Sequence, residues 1–328
     1  MYDDSHERTE TQMNRSKQIA GICIILFTGT LTIQAQSAPT RPKILGISHV
    51  GFFVSDLPKA LDFWHGLLGY DKSAEHKNPD GSITDTILKI NDHQYVELFT
   101  LQPRPGSGHL NRIAFTVSSA EQMRRYLISR SVQVVTPVLK NILTGDLILT
   151  VKDPDGNLVE FDEPQPDGLE TRTVGKSLPA TRISDSIYHL GFLVGSSEKS
   201  LKFYGDLLDF HEFWRGSSNG TQLSWIDMRV PDGKDYVEFM LYRDLPPPDK
   251  RGGQEHVSLL VPDVAKSITI LAARPAFQTY GKPLTQHTGV NGKRQVNLFD
   301  PDGTRVELME SETANGKPVP PSTAPPPN

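Results

Sequence analysis

The feature of this sequence that most constrains its fold is an eight-residue segment that occurs twice. Residues 153–160 read Asp-Pro-Asp-Gly-Asn-Leu-Val-Glu, and residues 300–307 read Asp-Pro-Asp-Gly-Thr-Arg-Val-Glu. Asp-Pro-Asp-Gly is typical of a tight turn, because proline presets φ, aspartate bonds nearby backbone groups and glycine accepts a positive φ. The alternation that follows is typical of a strand with one polar face. Each segment therefore predicts a β-hairpin.

The repeat extends to the strands and helices that precede these hairpins. His-Val-Gly-Phe-Phe-Val at 49–54 resembles His-Leu-Gly-Phe-Leu-Val at 189–194, and segments with helical periodicity follow at 56–70 and 196–210. Weaker copies of the strand and the helix lie at 111–117, 121–129, 255–261 and 264–273. A repeated unit of this length predicts a repeated supersecondary structure. We predict four copies of a strand–helix–strands unit, at roughly 44–102, 109–163, 185–243 and 254–310.

The four units are expected to form two domains, which suits a chain of 328 residues. The longest gap between units is 164–184, which contains three prolines and few large apolar residues. We place a linker there, between a first domain at 44–163 and a second domain at 185–310. Short links within each half favour pairing of units that are neighbours in the chain. Pairing of units across the two halves is the alternative.

Neither end of the chain is expected to belong to the folded domains. Arg15 and Lys17 precede an apolar run at 19–33, and small residues follow it. This order predicts a signal peptide or N-terminal extension within 1–38, and hence export to the periplasm or the exterior. The run is short for a membrane-spanning helix, although an uncleaved N-terminal anchor is the alternative. The proline-rich segment 311–328 predicts a disordered tail.

Composition excludes several classes of site. The one cysteine, Cys23, lies in the predicted signal, so the sequence excludes an intrachain disulfide and a thiolate zinc site. The formal net charge of −5 leaves no basic excess to neutralise phosphates. We therefore expect a small-molecule substrate as the partner and no nucleic acid. No stable membrane insertion is expected after signal removal, and a homodimer stays open.

Each unit carries a polar residue in its first strand and a glutamate in its last strand. The separations are 48, 48, 49 and 51 residues in the pairs His49–Glu97, Arg112–Glu160, His189–Glu238 and His256–Glu307. Successive side chains of a strand point to opposite faces, so these residues lie opposite the apolar face that packs on the helix. The eight positions are therefore expected to line the concave sides of two curved sheets.

These marks together resemble the βαβββ modules of the vicinal oxygen chelate superfamily, which includes glyoxalase I, extradiol dioxygenases, and fosfomycin and bleomycin resistance proteins. The marks are the His-x-Gly-Phe strand, the Leu-x-Phe-Tyr/Trp-x-x-Leu-Leu helix and the Asp-Pro-Asp-Gly-x-x-Val-Glu hairpin. The resemblance implies an α+β fold in which four modules pair into two half-barrel domains. It leaves the reaction open, because one fold hosts many chemistries.

The resemblance also implies a divalent metal ion between two paired modules, held by residues of their first and last strands. In the second domain the ligands would be His189, Glu238, His256 and Glu307. Two imidazoles and two carboxylates suit Zn, Ni, Mn, Co or Fe(II).

In the first domain the matching positions are His49, Glu97, Arg112 and Glu160. Arg112 takes a histidine position and cannot ligate, because a guanidinium stays protonated. We expect Arg112 to pair with Glu160 or Glu97, and we expect the first domain to be free of metal.

Three functions follow from the resemblance. A glyoxalase-like lyase or isomerase would use the metal as a Lewis acid for two adjacent substrate oxygens, with Glu238 and Glu307 as catalytic base and ligand. An extradiol ring-cleaving dioxygenase would need only His189, His256 and Glu307 around iron, but the tyrosine of that family's closing motif is Asn297 here. A non-catalytic, small-molecule-binding protein of the resistance type is the third. The presence of Glu238 favours the first, although expected export argues against glutathione adducts.

Some other polar and aromatic residues lack repeat partners. Four histidines are expected at the surface or at a pocket rim: His93, His109, His211 and His287. Three aromatic residues could line a pocket, but we expect each of them in the core: Trp214, Trp225 and Tyr242.

Overall fold

The computed structural model of this chain describes residues 38–101, 103 and 108–327. The predicted signal at 1–38, apart from residue 38, lies outside the described residues, and so does Cys23. Within the described part, no helix is both long and apolar enough to cross a membrane.

The first two modules form one sheet of eight strands. The strands are β1 (Ile44–Phe53), β2 (Lys72–Lys77), β3 (Ile83–Lys89), β4 (Tyr95–Phe99), β5 (Leu110–Val117), β6 (Leu139–Lys140), β7 (Leu147–Lys152) and β8 (Leu158–Glu163). Their spatial order is β2-β3-β4-β1-β5-β8-β7-β6. The first strands of the two modules, β1 and β5, pair antiparallel at the centre, and each pairs in parallel with the last strand of its own module.

The last two modules form a second sheet of the same design. The strands are β9 (Ile187–Val194), β10 (His211–Gly216), β11 (Trp225–Arg229), β12 (Tyr236–Leu241), β13 (His256–Leu260), β14 (His287–Thr288), β15 (Lys293–Phe299) and β16 (Arg305–Thr313). Their order is β10-β11-β12-β9-β13-β16-β15-β14. Modules that are neighbours in the chain therefore share a sheet, as the short links favoured. Pairing across the two halves is excluded.

The described residues form four helices where the periodicity predicted them and two short helices, within 164–184 and at 276–280, that it did not predict. They are α1 (Leu57–Leu61), α2 (Ala120–Ser129), α3 (Leu169–Arg172), α4 (Ser197–Ser200), α5 (Val264–Ala272) and α6 (Ala276–Tyr280). Helices α1 and α4 continue as π-helical segments, Asp62–Leu67 and Leu201–Leu207, and a single 3₁₀ turn spans Pro248–Lys250. The side chain of the residue before α1, α2, α4 or α5 accepts a hydrogen bond from the backbone three residues later, which satisfies a free helix N–H.

One face of each sheet packs on these helices. In β9, Leu190, Phe192 and Val194 are buried, and the Phe192 ring lies 5.4 Å from the ring of Tyr204 in the π-helical segment. His189 is on the opposite face of β9, as the alternation predicts. Burial of a large apolar side chain stabilises the fold by about 1.5–3 kcal/mol. The expected α+β fold, with four modules in two half-barrel sheets, is therefore confirmed.

The Asp-Pro-Asp-Gly turns connect the two sheets as well as closing hairpins. Asp155 accepts hydrogen bonds from the Gly195 amide (3.0 Å) and the Ser200 hydroxyl (3.3 Å), next to the start of α4. Asp153 Oδ2 accepts one from the Tyr204 hydroxyl at 3.1 Å. In the reciprocal contact, the Ser55 amide donates to Asp302 Oδ2 at 3.0 Å, just before α1. Each turn of one sheet therefore holds a helix start of the other.

The C-terminal segment differs from the expected disordered tail. Strand β16 continues to Thr313. Beyond it, the Ser322 amide donates to the Arg215 carbonyl, and the Pro325 carbonyl accepts from the Leu223 amide, both at 2.8 Å. Prolines lack the backbone N–H but keep the carbonyl. The tail therefore retains enough backbone groups to bond beside β10.

The contact between Asp153 and Tyr204 generates a prediction about stability. Replacement of Tyr204 by Phe removes one cross-sheet hydrogen bond, while Asp153 Oδ2 keeps its bond from Asn157. We expect a loss of about 1 kcal/mol in the free energy of unfolding, measured by urea titration. Tyr242→Phe is the control, because the Tyr242 hydroxyl has no hydrogen-bond partner in the described part of the chain. Equal stability of the two variants would contradict the predicted role of the turn.

The second turn generates a prediction about pH. Burial raises the pKa of Asp300 to about 7, well above the usual value for aspartate. The folded state therefore binds this proton more tightly than the unfolded state, and the group destabilises the fold as pH rises toward 7. In Asp300→Asn the side-chain oxygen still accepts the turn hydrogen bonds, but the group does not titrate.

We expect the unfolding free energy of Asp300→Asn, relative to wild type, to rise between pH 4 and pH 7 and then to level off. Denaturant titrations at fixed pH values measure this difference. A difference that does not change with pH would show that Asp300 titrates normally.

Candidate metal centre

Four central strands of the second sheet bring the predicted ligands together. His189 in β9 and His256 in β13 have their Nε2 atoms 3.0 Å apart. Glu238 Oε2 in β12 lies 3.9 Å from His189 Nε2 and 3.5 Å from His256 Nε2. Glu307 Oε2 in β16 lies 3.5 Å from His189 Nε2. All four residues are buried. The structure therefore gathers these residues into one cluster.

The glycine of the His-x-Gly motif makes this approach sterically feasible. Gly191 lies opposite His256 in the β9–β13 pair and opposite Glu238 in the β9–β12 pair. A Cβ atom at Gly191 would lie 1.9 Å from Cε1 of the His256 ring. Only a residue without a side chain leaves room there. Gly51 has the same place in the first sheet, where a Cβ would lie 3.2 Å from Cγ of Arg112.

The nitrogen–oxygen distances in this cluster suit a shared metal ion better than direct hydrogen bonds. The three nitrogen–oxygen distances of 3.5–3.9 Å exceed a normal hydrogen bond. Two donors bound to one tetrahedral ion at 2.0–2.2 Å would be separated by about 3.4 Å. Glu307 Oε2 is buried without a hydrogen-bond partner among the described residues. His256 Nδ1 lies 2.8 Å from the Gln254 carbonyl, which favours the tautomer with the proton on Nδ1 and the lone pair on Nε2.

The electrostatics of the cluster also suit a cation. Burial lowers the pKa of His189 and His256 well below the usual value, and the charge of Arg305 lowers both further. Both rings are therefore neutral, which is the ligating form. Burial, together with the charge of Glu307, raises the pKa of Glu238 to about 8. Burial likewise raises the pKa of Glu307. A bound cation would replace the protons that these buried carboxyl groups otherwise retain.

Two residues of the cluster were missed in the sequence analysis. Asp227 in β11 lies opposite Glu238 in register and is buried. Burial, followed by the charge of Glu238, raises its pKa well above the usual value. Arg305 places Nη2 at 2.8 Å from Nδ1 and 2.9 Å from Nε2 of His256. The alternation of faces along a strand could have identified Arg305 from the sequence, because it precedes Glu307 by two residues and so lies on the same face. No local sequence pattern identifies Asp227.

A small cavity of about 60 Å³ borders the cluster. Glu238, Glu307, Arg305, Trp214 and Trp225 are among its lining residues. Trp225 also lines a larger, polar cavity of about 520 Å³. The small cavity gives a ligand direct access to the two carboxylates.

Three aromatic residues lie in these cavities rather than in the core. The small cavity is lined by Trp214 and Trp225, and the large one by Trp225 and Tyr242. All three are partly exposed. The expectation of core positions was wrong for them, because these side chains line cavities and are not enclosed by the core. The four unrepeated histidines are exposed or partly exposed, as expected: His93, His109, His211 and His287.

The first sheet contains the expected ion pair. Arg112 Nη1 lies 2.9 Å from Glu160 Oε2, and the guanidinium lies 4.9 Å from the centroid of the Phe99 ring. The expected pairing of Arg112 with Glu160 is confirmed. Near this pair, His49, Glu160 and Asp162 also lie close enough together to hold a metal ion. Asp162 was not identified from the sequence.

The position of Gly191 generates a prediction about metal binding. Gly191→Ala would displace the His256 imidazole from its place in the cluster. We expect metal affinity at this site to fall by at least about 10–100-fold, the loss typical of disturbed ligand support. Calorimetric titration of the chelator-treated protein measures it.

The control variant is Gly205→Ala, where a Cβ meets no atom closer than 3.6 Å. Both variants are checked for an unchanged circular dichroism spectrum. Wild-type affinity in folded Gly191→Ala would show that His256 is not a ligand.

Comparisons with known proteins agree with this architecture. The described sheets resemble the 2,3-dioxygenase LapB from Pseudomonas sp. KL28, with a TM-score of 0.62 and 15% identity, over 86% of this chain and 98% of that one. They also resemble the Mn(II)-bound glyoxalase from Novosphingobium aromaticivorans, with a TM-score of 0.62 and 17% identity, over 87% of this chain and 89% of that one. At these identities the likeness establishes the fold.

Sequence comparison establishes the family. The uncharacterized protein YwkD from Bacillus subtilis (strain 168) is 27% identical over 123 residues, which are 36% of this chain and 95% of that protein. The family model described as Glyoxalase/Bleomycin resistance protein/Dioxygenase superfamily matches residues 46–161 and 186–308. These two matches span most of both sheets. The chain therefore belongs to the Glyoxalase/Bleomycin resistance protein/Dioxygenase superfamily.

Proposed function

We propose that this chain is an exported, metal-dependent enzyme, a glyoxalase-like lyase or isomerase that acts on a small substrate with two adjacent oxygen atoms. The observation that carries the proposal is the buried cluster of His189, His256, Glu238 and Glu307 beside a cavity. Two histidines with one carboxylate would already suffice for a redox iron site. Glu238 adds a second carboxylate, which can serve as the base of a proton-transfer reaction.

The bound ion, one of Zn, Ni, Mn, Co or Fe(II), would act as a Lewis acid toward the two substrate oxygens. The residues around it supply the other functions. Glu238 and Glu307 both line the cavity, so a carboxylate oxygen of either can accept a proton from a substrate carbon held there. A bound cation would replace the proton that burial otherwise keeps on Glu238, and would so leave the carboxylate in the form that accepts a proton.

The cavity walls indicate how a substrate would be held. Arg305 lines the cavity and offers a fixed positive charge to an anionic or carbonyl group. Trp214 and Trp225 provide flat apolar walls that exclude water. The cavity measures about 60 Å³, so only a small reacting group fits there. The rest of a larger substrate would extend past Trp225 into the polar cavity.

An extradiol dioxygenase is the second candidate. His189, His256 and Glu307 supply the two-histidine, one-carboxylate set that binds Fe(II) in such enzymes. Asn297, which lies opposite Glu307 in the β15–β16 pair, stands where that family has a tyrosine. This departure favours the glyoxalase-like lyase or isomerase over the dioxygenase.

Two variants test the proposal. We expect His189→Ala to abolish metal binding at this site and all turnover, whereas Glu238→Gln keeps a bound metal but loses about 100-fold or more in kcat. The control is His211→Ala, which removes an exposed histidine of the same sheet. Metal content is measured by elemental analysis, and turnover with a hemithioacetal as substrate.

Other outcomes would assign other functions. Cleavage of catechols with oxygen uptake by the Fe(II)-loaded protein, unaffected by Glu238→Gln, would indicate the dioxygenase. Ligand binding that persists in His189→Ala, without metal or turnover, would indicate a small-molecule-binding protein.

The proposal of export rests on the N-terminal sequence alone. Arg15, Lys17 and the apolar run at 19–33 have the order of a secretory signal. Cell fractionation of the full chain, compared with a chain lacking 19–33, tests it. Retention of both chains in the cytoplasm would contradict export.

A further inference from the structure

We propose that a cavity between the helices of the first and fourth modules binds a small aromatic acid that carries a hydroxyl group. The cavity measures about 210 Å³ and is lined by residues of the π-helical segment Asp62–Leu67, of helix α6 and of the turn at Asp300. None of its described lining residues belongs to the candidate metal centre. The proposal therefore does not depend on the reaction proposed for the second sheet.

One buried acceptor in the lining lacks a partner. Asp300 is fully buried, and its Oδ1 accepts the turn hydrogen bonds from the amides of Asp302 (3.0 Å) and Thr304 (2.8 Å). Its Oδ2 has no hydrogen-bond partner among the described residues. A buried acceptor that stays unpaired destabilises the structure, because it has lost its water and gained nothing in return. A hydrogen-bond donor brought by a ligand would satisfy it.

The equivalent turn of the first sheet shows which group is missing. There, Asp153 Oδ2 accepts a hydrogen bond from the Tyr204 hydroxyl at 3.1 Å. Trp64 has the place of Tyr204 in the other π-helical segment, because Leu-Asp-Phe-Trp at 61–64 corresponds to Leu-Lys-Phe-Tyr at 201–204. Nε1 of Trp64 is buried and donates to no described residue. The hydroxyl that completes one turn is therefore missing from the other, and the hydroxyl of a ligand can take its role.

The walls of the cavity suit a flat apolar ligand. Phe63, Tyr280 and Phe299 line it, and the ring centroids of Phe63 and Tyr280 lie 5.9 Å apart. Leu67 and Ala276 add aliphatic surface. An apolar cavity of about 150 Å³ can hold one benzene molecule. A cavity of about 210 Å³ therefore has room for a single substituted ring, which packs favourably on other aromatic rings.

A lysine in the lining indicates that the ring carries an anionic group. Lys282 is exposed, and its Nζ lies 5.8 Å from the centroids of both the Tyr280 and the Phe299 ring. It forms no ion pair with a described residue, so its charge is available to a ligand. Lys59 and Asp62 also line the cavity, but their opposite charges offset each other. A carboxylate on the ring would pair with Lys282 while the hydroxyl reaches Asp300.

The probe for this site is para-hydroxybenzoate, and benzoate and phenol are its matched controls. Calorimetric titrations of the full-length protein are carried out at about pH 8, above the pKa of about 7 that burial gives Asp300. We expect para-hydroxybenzoate to bind. Benzoate lacks the hydroxyl donor, and we expect it to bind about 10-fold more weakly, the usual loss when a hydrogen bond to a charged group is removed.

Two variants separate the two ends of the ligand. In Asp300→Asn, Oδ1 still accepts the turn bonds, but the amide in place of Oδ2 donates and cannot accept. We expect this variant to bind para-hydroxybenzoate about 10-fold more weakly and benzoate as wild type does. Lys282→Ala should weaken both carboxylates about 3-fold and leave phenol unaffected. The control is Lys266→Ala, which removes an exposed lysine of α5 and should bind every probe as wild type does.

Several outcomes would overturn the proposal. They are no binding of para-hydroxybenzoate, equal affinity for benzoate, and wild-type affinity in both Asp300→Asn and Lys282→Ala. Loss of binding in His189→Ala would place the ligand at the metal centre, which would overturn this site and leave the proposed function standing. Binding that persists in His189→Ala and weakens in Asp300→Asn would support this site, whatever reaction the second sheet carries out.

Discussion

The rest of the structure depends on the antiparallel contact between the first strands of two modules, β1 with β5 and β9 with β13. This contact places two opening strands side by side and leaves the last strand of each module on the outer flank. In the second sheet it brings His189 and His256 together, and β12 and β16 add the glutamates. Gly191 permits the contact, because any side chain there would occupy the space of the His256 ring.

The same arrangement buries several charged side chains in each sheet. In both sheets an arginine lies against this buried group. Each cluster combines histidine, carboxylates and one arginine, but the arginine differs in position. Arg112 lies in β5, the strand that corresponds to β13 with His256 in the second sheet. Its guanidinium binds the carboxylate of Glu160. Arg305 stands two residues before Glu307 and lies against an imidazole. Fixed positive charge thus compensates a buried carboxylate in one cluster and keeps the histidines neutral in the other.

The two sheets are not independent, because each turn of one holds a helix start of the other. The contacts of Asp153 and Asp155 with the α4 region, and of Asp302 with the residue before α1, are reciprocal. They position the helices that cover the apolar faces, and therefore the opposite faces that carry the clusters. One short motif thus serves both local chain reversal and the assembly of the whole fold.

The sequence by itself determined the four modules, the faces of their strands and the residues His189, Glu238, His256 and Glu307, since turn chemistry and the two-residue period are local properties. Tertiary structure alone decided the contributions of Asp227 and Asp162, the placement of Trp214, Trp225 and Tyr242 beside cavities, and the bonded course of the C-terminal segment. These depend on register between distant strands and on which buried charges lack partners, and neither is encoded in the spacing of residues along the chain.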